Sequence, residues 1–205
     1  MRRRNIKNAD EKIKQYGCII NPEEVLDLKQ LFKKEAPIHL ELGMGKGNFI
    51  IEMAKRYPDI NFIGIEKFES VILQALKKSE NEHLDNLVMI CADGENLLKF
   101  LPAKAIAKIY LNFSDPWPKA RHAKRRLTSP NFLKIYDDLM QEFSLEFKTD
   151  NRALFEYSLM TFNQEKYKFQ EIHLDLHRDL EDIVETEYEA RFKDHQPIYY
   201  VSITK

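Results

Sequence analysis

Short apolar runs alternate with helix-periodic segments along most of this 205-residue chain, and this alternation constrains its fold more than any other feature. Each run is a few residues long and rich in Val, Ile, Leu and Phe, as buried strands are. We predict strands at 38–42, 61–66, 87–91, 107–112 and 143–148, and helices near 49–57, 71–76, 94–100, 130–142 and 151–167. Strands that alternate with helices form mostly parallel sheets. The sequence therefore predicts an α/β fold.

The two ends of the chain add a helix and a pair of strands to this pattern. The segment 21–24 combines a capping Asn21, a proline at the first helical position and a glutamate at the third, which predicts a helix over 22–34. Near the other end, apolar alternation around 172–176 and the β-forming residues of 198–203 predict two strands that pair antiparallel. We expect one domain over 1–205, with an arm and helix at 1–36 and a core at 37–205.

Charge, cysteine content and hydropathy exclude several classes of protein. The net charge is −1, but cations gather at Arg2, Arg3, Arg4 and Lys7 and again over 119–126. Cys18 and Cys91 lie far apart without metal-ligand spacing, which is typical of a reduced intracellular protein. No apolar run is long enough for a membrane helix or a secretory signal. We predict a cytoplasmic protein without a membrane anchor or a metal site.

The segment 112–127 carries the most specific chemistry in the sequence. It reads Asn-Phe-Ser-Asp-Pro-Trp-Pro-Lys-Ala-Arg-His-Ala-Lys-Arg-Arg-Leu. Because a predicted strand precedes it, Asp115 should lie just past the carboxyl end of that strand, where ligands bind in open α/β sheets. Five cations follow with no acid among them: Lys119, Arg121, Lys124, Arg125 and Arg126. Such a run is often only a solvated surface, but next to a candidate active-site loop it favours phosphate, and hence nucleic acid, as the partner.

A second candidate site lies at the ends of the first three core strands. The turn Gly43-x-Gly45-x-Gly47 lets backbone approach a ligand closely but lacks the dinucleotide-binding spacing. Glu41 precedes this turn, Glu66 closes the next strand and Asp93 follows the third. Carboxylates repel a pyrophosphate and suit S-adenosylmethionine, which carries a sulfonium and an ammonium. Alternatively the acids have local roles, Glu41 as a strand-end cap, Glu66 as the partner of Lys67, and Asp93 as a helix cap.

Together these motifs resemble the bacterial tRNA (guanine-N7)-methyltransferase family. The resemblance extends from about residue 38 to the end and rests mainly on segments 41–47, 115–119, 121–126 and 186–189. It implies a class I S-adenosylmethionine-dependent methyltransferase fold, which is Rossmann-like with a mostly parallel sheet and an antiparallel strand at the carboxyl-terminal end. It also implies S-adenosylmethionine as cofactor, S-adenosylhomocysteine as product, and tRNA as partner. The chain departs from the family pattern around 7–10, at Ala120 and at 194–196.

The resemblance further implies a role for each matching residue. Asp115 would be catalytic. The cofactor site would comprise Glu41, Gly43, Gly45, Gly47, Glu66, Asp93 and Asp115. The substrate would contact Lys119, Asp150, Thr186, Glu187, Tyr188 and Glu189. The RNA would contact Arg121, His122, Lys124, Arg125 and Arg126.

The chemistry expected of such an enzyme is mainly positioning. Guanine N7 carries no proton, so its methylation needs no general base, and Asp115 would hold the guanine by accepting from N1–H and the exocyclic amine. Asp150 and Glu189 are other candidates for this contact, and Trp117 either stacks on the base or packs in the core. Two alternatives stay open: an N6-adenine type amino-group methyltransferase, because Asp-Pro-Trp is similar to the turn such enzymes use, and a non-catalytic RNA-binding protein on the same fold. The chain is expected to be a monomer or a homodimer.

Overall fold

The computed structural model describes residue 6 and residues 8–205. The basic residues predicted for an amino-terminal arm, Arg2 to Arg4 and Lys7, lie outside the described residues. The chain divides into two compact units, the first ending at Pro102 and the second spanning Ala103–Lys205. The single domain expected over 1–205 stays a prediction.

The first unit is built on parallel strands with helices between them. Its strands are β1 (Ile19–Ile20), β2 (Ile38–Leu42), β3 (Asn61–Glu66) and β4 (Leu87–Cys91), in the spatial order β1-β4-β3-β2. Its helices are α1 (Ala9–Gln15), α2 (Leu28–Leu31), α3 (Asn48–Arg56), α4 (Glu69–Ser79) and α5 (Leu97–Phe100), the last preceded by a 3-10 turn at Gly94–Asn96. Every residue of β3 is buried, as expected of a strand whose two faces are both covered.

The register of these strands aligns their carboxyl ends. Leu42 of β2 pairs with Ile65 of β3, and Glu66 pairs with Cys91 of β4, all in parallel. Because parallel strands in register end at the same edge, whatever follows β2, β3 and β4 is brought to one side of the unit.

The second unit combines parallel and antiparallel pairing. Its strands are β5 (Lys108–Asn112), β6 (Ser144–Thr149), β7 (Lys168–His173) and β8 (Tyr199–Thr204), in the spatial order β5-β6-β8-β7. β5 and β6 are parallel, whereas β8 runs antiparallel to both β6 and β7. Its helices are a 3-10 helix at Ala120–Arg125, α6 (Pro130–Leu139), α7 (Arg152–Gln164), α8 (Leu176–Asp179) and α9 (Glu187–Phe192). The predicted α/β fold, mostly parallel with antiparallel strands at the carboxyl-terminal end, is confirmed.

The helix predicted over 22–34 is wrong. Only Leu28–Leu31 is helical there, and Asp27 caps it by accepting from the Lys29 amide at 3.0 Å. The Leu26 amide instead donates to the Phe100 carbonyl at 2.9 Å, which ties this segment to the end of α5. Asn21 adopts a left-handed backbone with φ of 41°, and no helix follows it before Leu28.

The strand predicted around 172–176 is misplaced, although its antiparallel pairing with the last strand is confirmed. β7 ends at His173, and Leu176 begins the short helix α8. The Leu176 side chain is buried against Ile198 and Tyr200, so it reaches the core from a helix and not from the expected strand. Helix α1, which the sequence reasoning did not predict, buries Ala9 and Ile13 and packs against α4.

Candidate functional site

The glycine-rich turn joins β2 to α3 with three left-handed glycines. The φ angles are 80° at Gly43, 57° at Gly45 and 77° at Gly47, a region that glycine enters at little cost. A Cβ placed on Gly43 or Gly45 would meet nothing within 4 Å, whereas one on Gly47 would lie 2.7 Å from the Ala75 Cβ. The first two glycines therefore leave an open face of backbone beside the turn. The third is required for close packing of α3 against α4.

Glu66 fixes the shape of this turn. Its Oε2 accepts from the Gly45 amide at 3.2 Å, and its Oε1 accepts from the Phe68 amide at 3.0 Å, where α4 begins. Lys67, the alternative partner considered for Glu66, lies instead with its Nζ 5.2 Å from the centre of the Phe68 ring. A carboxylate oxygen can accept more than one hydrogen bond, so these two contacts do not by themselves prevent Glu66 from also accepting from a ligand's hydroxyl groups.

The other two acids of the first unit lie at the same edge as Glu66. Glu41 is buried in β2 beside Gly64 of β3, and Asp93 is half-buried just after β4. Asp93 Oδ1 accepts from the Glu95 amide at 3.0 Å, so the helix-cap role considered for it is present. The structure thus brings Glu41, Glu66 and Asp93 to the ends of neighbouring strands next to the open glycine face. This acidic, phosphate-repelling edge fits a ligand with hydroxyl and cationic groups.

In the second unit, Asp115 lies on a loop that leaves β5 through an unusual backbone. Asp115 is exposed, three residues past the end of β5. Phe113 and Trp117, on either side of it, have φ angles of 50° and 42°, which are rare for large side chains. The Phe113 amide donates to the Lys148 carbonyl at 2.9 Å, which fastens the start of the loop to β6.

The predicted cation cluster is exposed beside this loop. Lys119, Arg121, Lys124 and Arg125 are all exposed, and none of them forms an ion pair with any residue that the structure describes. The Arg125 guanidinium lies 4.9 Å from the centre of the Trp117 ring, and the His122 ring meets Trp117 edge-on at 5.7 Å. Arg126 is different, because it is half-buried and its guanidinium donates to two backbone carbonyls of the loop. The predicted RNA contacts of this segment stay predictions.

Asp150 and Tyr188 meet in a polar group that also includes Gln196. Asp150 Oδ2 accepts from the Tyr188 hydroxyl at 2.6 Å and from Gln196 Nε2 at 2.7 Å. The hydrogen bond to Asp150 is the main cause that raises the pKa of Tyr188, with partial burial adding to it. The Phe113 ring lies 5.1 Å from the Tyr188 ring, so this group borders the Asp115 loop. Sequence reasoning missed Gln196, because no local motif marks it.

Glu189 lies at the centre of a buried network. Its Oε2 accepts from Lys148 Nζ at 2.8 Å and from the Thr186 amide at 3.1 Å, and its Oε1 bonds His177 Nε2 at 2.9 Å. Thr186 in turn accepts from the Glu189 amide, which completes a capping box at the start of α9. Glu189 is fully buried, so it would have to move to touch a base. Its predicted contact with the substrate, like those of Thr186 and Glu187, stays a prediction.

Within residues 6 and 8–205, no group of three His, Cys, Asp or Glu residues could hold a metal ion. No helix in the described part of the chain is long and apolar enough to cross a membrane.

Comparison with known proteins identifies the family. The family model described as "Putative methyltransferase" matches residues 35–201. A tRNA (guanine-N(7)-)-methyltransferase of Bacillus cytotoxicus is 50% identical over 208 residues, covering 98% of this chain and 95% of that protein. The chain belongs to the tRNA (guanine-N(7)-)-methyltransferase family. The family member from Pediococcus pentosaceus is 47% identical over 211 residues, with 97% of each chain covered. The predicted family is confirmed.

Solved structures support the fold of this family member. A 16S rRNA methyltransferase, KamB, superimposes with a TM-score of 0.67 at 14% identity, covering 91% of this chain and 98% of that one. A methyltransferase described as SAM-dependent, from Aquifex aeolicus, gives a TM-score of 0.58 at 14% identity and covers 97% and 99%. At such low identity the likeness concerns the fold alone. It confirms the predicted methyltransferase fold class.

Proposed function

We propose that this protein transfers the methyl group of S-adenosylmethionine to N7 of a guanine in the variable loop of tRNA. Membership of the family supports the reaction type. The observation that carries the proposal is the exposed carboxylate of Asp115, which follows β5 and adjoins a run of cations without ion-pair partners among the described residues. A base-binding acid next to a phosphate-binding surface is what chemistry on a nucleic acid requires.

The first unit supplies the groups for the cofactor. When bound, S-adenosylmethionine provides a methyl group made electrophilic by its sulfonium. Glu66 would accept hydrogen bonds from the ribose hydroxyls, and Asp93 would accept from the adenine amine. The open backbone face at Gly43 and Gly45 allows close approach of the ligand, and the negative charge of Glu41 favours its cationic part.

Asp115 of the second unit would orient the guanine. Its carboxylate can accept from N1–H and from the exocyclic amine together, which fixes the base in its plane and distinguishes guanine from adenine. Guanine N7 has a lone pair and no proton, so no residue has to remove one before transfer. Aligning the nucleophile with the methyl group accounts for the catalysis, an effect worth up to ~7–11 kcal/mol when alignment is good.

The surrounding polar groups would hold the rest of the RNA. Lys119, Arg121, Lys124 and Arg125 would neutralise phosphates, and Asp150 with Tyr188 would contact the substrate nucleotide. Monomer or homodimer assembly, and the cytoplasmic location, stay predictions.

One assay tests substrate, reaction and cofactor together. Unmodified tRNA is incubated with the protein and methyl-labelled S-adenosylmethionine, and the labelled nucleoside is identified by mass spectrometry. We expect N7-methylguanine from the variable loop. N6-methyladenine would instead support an amino-group methyltransferase. Failure to bind S-adenosylmethionine in a calorimetric titration would support a non-catalytic RNA-binding protein.

The role of Asp115 is tested by Asp115→Ala with Asp93→Ala as the matched comparison. We expect Asp115→Ala to lower kcat by at least ~100-fold, because the base is no longer aligned, while cofactor affinity stays within a few fold. Asp93→Ala should mainly weaken cofactor binding. Wild-type turnover in Asp115→Ala would rule out the proposed role.

A further inference from the structure

Arg126 is turned inward, unlike the cations that precede it. Its Nε donates to the Pro116 carbonyl at 3.1 Å, and its Nη2 donates to the Trp117 carbonyl at 3.0 Å. The side chain is half-buried, whereas Lys124 and Arg125 beside it are exposed. Only a guanidinium offers two donors in a fixed fork, so this geometry is specific to arginine.

The other side of the Arg126 guanidinium is covered by Tyr157 of α7. The guanidinium carbon lies 4.2 Å from the centre of the Tyr157 ring, a cation–π contact. The next residue of α7, Ser158, shares a buried hydrogen bond of 2.7 Å with Thr128, two residues after Arg126. The guanidinium is therefore held between a helix that is fixed to its own segment and the loop that carries Asp115.

The loop needs such a support because its backbone is unfavourable. Phe113 and Trp117 both occupy the left-handed region, and both carry large aromatic side chains. Such a backbone conformation is kept only where several surrounding contacts hold it in place. Arg126 bonds the carbonyls of Pro116 and Trp117, which directly follow Asp115.

We propose that Arg126 and Tyr157 form a positioning pair that fixes the loop 113–118 and thereby the carboxylate of Asp115. In this assignment the cation run has two functions. Lys119, Arg121, Lys124 and Arg125 are exposed and available to phosphate, although Arg125 also packs on the Trp117 ring, and Arg126 does not contact phosphate. The effect of the pair on kcat rests on the proposed function, whereas its effect on the structure of the loop 113–118 does not.

The salt dependence of tRNA binding separates the two kinds of cation. Each phosphate contact that is lost reduces the slope of log affinity against log salt by ~0.7–0.9. We expect Lys124→Met to reduce the slope by this amount and Arg126→Met to leave it unchanged. If the wild-type protein methylates tRNA as proposed, Arg126→Met should lower kcat by ~10-fold or more and keep KM for tRNA within about threefold of wild type. Lys124→Met should raise KM and keep kcat.

Two further variants distinguish positioning from general damage. Arg126→Lys keeps the charge but replaces the planar fork, and the flat face that packs on Tyr157, by a compact ammonium, so it should behave as Arg126→Met does. Tyr157→Phe keeps the aromatic face and should keep kcat near wild type, whereas Tyr157→Leu keeps apolar bulk without that face and should lower kcat.

Fluorescence tests the pair without any activity. Trp117 is the only tryptophan of the chain, so its emission reports on this loop alone. Arg126→Lys and Tyr157→Leu should increase quenching by acrylamide, and Lys124→Met should not. If wild type fails to methylate tRNA, the proposed function fails while this measurement still tests the pair. The proposal would be overturned if Arg126→Lys and Tyr157→Leu left acrylamide quenching of Trp117 unchanged and Arg126→Met reduced the salt slope of tRNA binding. Arg126 would then be a phosphate contact.

Discussion

Replacing Lys148 by methionine should destabilise the protein strongly, because Lys148 forms a buried ion pair with Glu189. The side chains of Lys148 and Glu189 are 6% and 0% exposed, and their charged atoms are 2.8 Å apart. Lys148→Met leaves the Glu189 carboxylate buried with His177 and the Thr186 amide as its remaining partners. Breaking a buried pair from one side costs ~3–5 kcal/mol, because the other charge stays in the interior without the cation that balanced it.

The size of the effect can be read from thermal unfolding. For a protein of this length, each kcal/mol lowers Tm by ~2–4 °C, so a drop of about 6–20 °C is expected. Lys108→Met is the matched control, because Lys108 and Glu146 are also 2.8 Å apart but their side chains are 30% and 27% exposed. That more exposed pair should contribute no more than ~1 kcal/mol.

A double variant tests the cause of the loss. Glu189→Gln keeps an amide oxygen that can accept from the Thr186 amide but removes the buried charge. Lys148→Met combined with Glu189→Gln should therefore recover much of the stability lost in Lys148→Met alone. If Lys148→Met costs no more than Lys108→Met, or if the double variant is as unstable as the sum of both single variants, burial of the charge is not what makes this pair important.

Two further predictions concern the first unit. Gly47→Ala should lower the free energy of unfolding in urea by ~2–5 kcal/mol, because a Cβ there strains the left-handed backbone and lies 2.7 Å from the Ala75 Cβ. Gly45→Ala has open space around the added Cβ, so it should lower the free energy of unfolding only through backbone strain, by ~1–2 kcal/mol. Burial raises the pKa of Cys18 to about 11 and that of Cys91 to about 12, above the ordinary 9.0, so iodoacetamide at pH 8 should label the folded protein ~100-fold more slowly than the unfolded chain. The contribution of these two thiols to stability is therefore constant below pH 9 and is lost as pH rises from 9 towards 12, which urea unfolding at several alkaline pH values measures. Equal labelling rates for the folded and the unfolded protein would contradict the burial of both thiols.

Hydrophobic periodicity correctly predicts those elements whose position depends only on burying their apolar side chains. β3 is buried along its length, and its apolar run has the same bounds in the sequence and in the structure. The segment after Asn21 contains equally good local signals for a helix, but they compete with the hydrogen bond from Leu26 to Phe100, a residue 74 positions away. No local sequence pattern predicts a contact between residues so far apart along the chain.

The candidate site divides in the same way. Acids at strand ends are predictable, because the register of parallel strands brings them to one edge. The partners of individual side chains are not predictable in this way. Arg126 belongs to the same run of cations as four exposed residues, and nothing in the local sequence marks it as the one that faces inward. Likewise Lys148 fits a strand pattern, but its partner Glu189 lies 41 residues later and became visible only in three dimensions.

The carboxylate of Glu66 has a consequence for the thermodynamics of ligand association. It holds the Gly45 and Phe68 amides within the protein itself, so the turn has its shape before any small molecule arrives. Ordering flexible backbone usually consumes part of the interaction energy when a ligand binds. Here that entropic cost is met during folding, so the cofactor that we propose for this turn would meet a backbone that is already ordered.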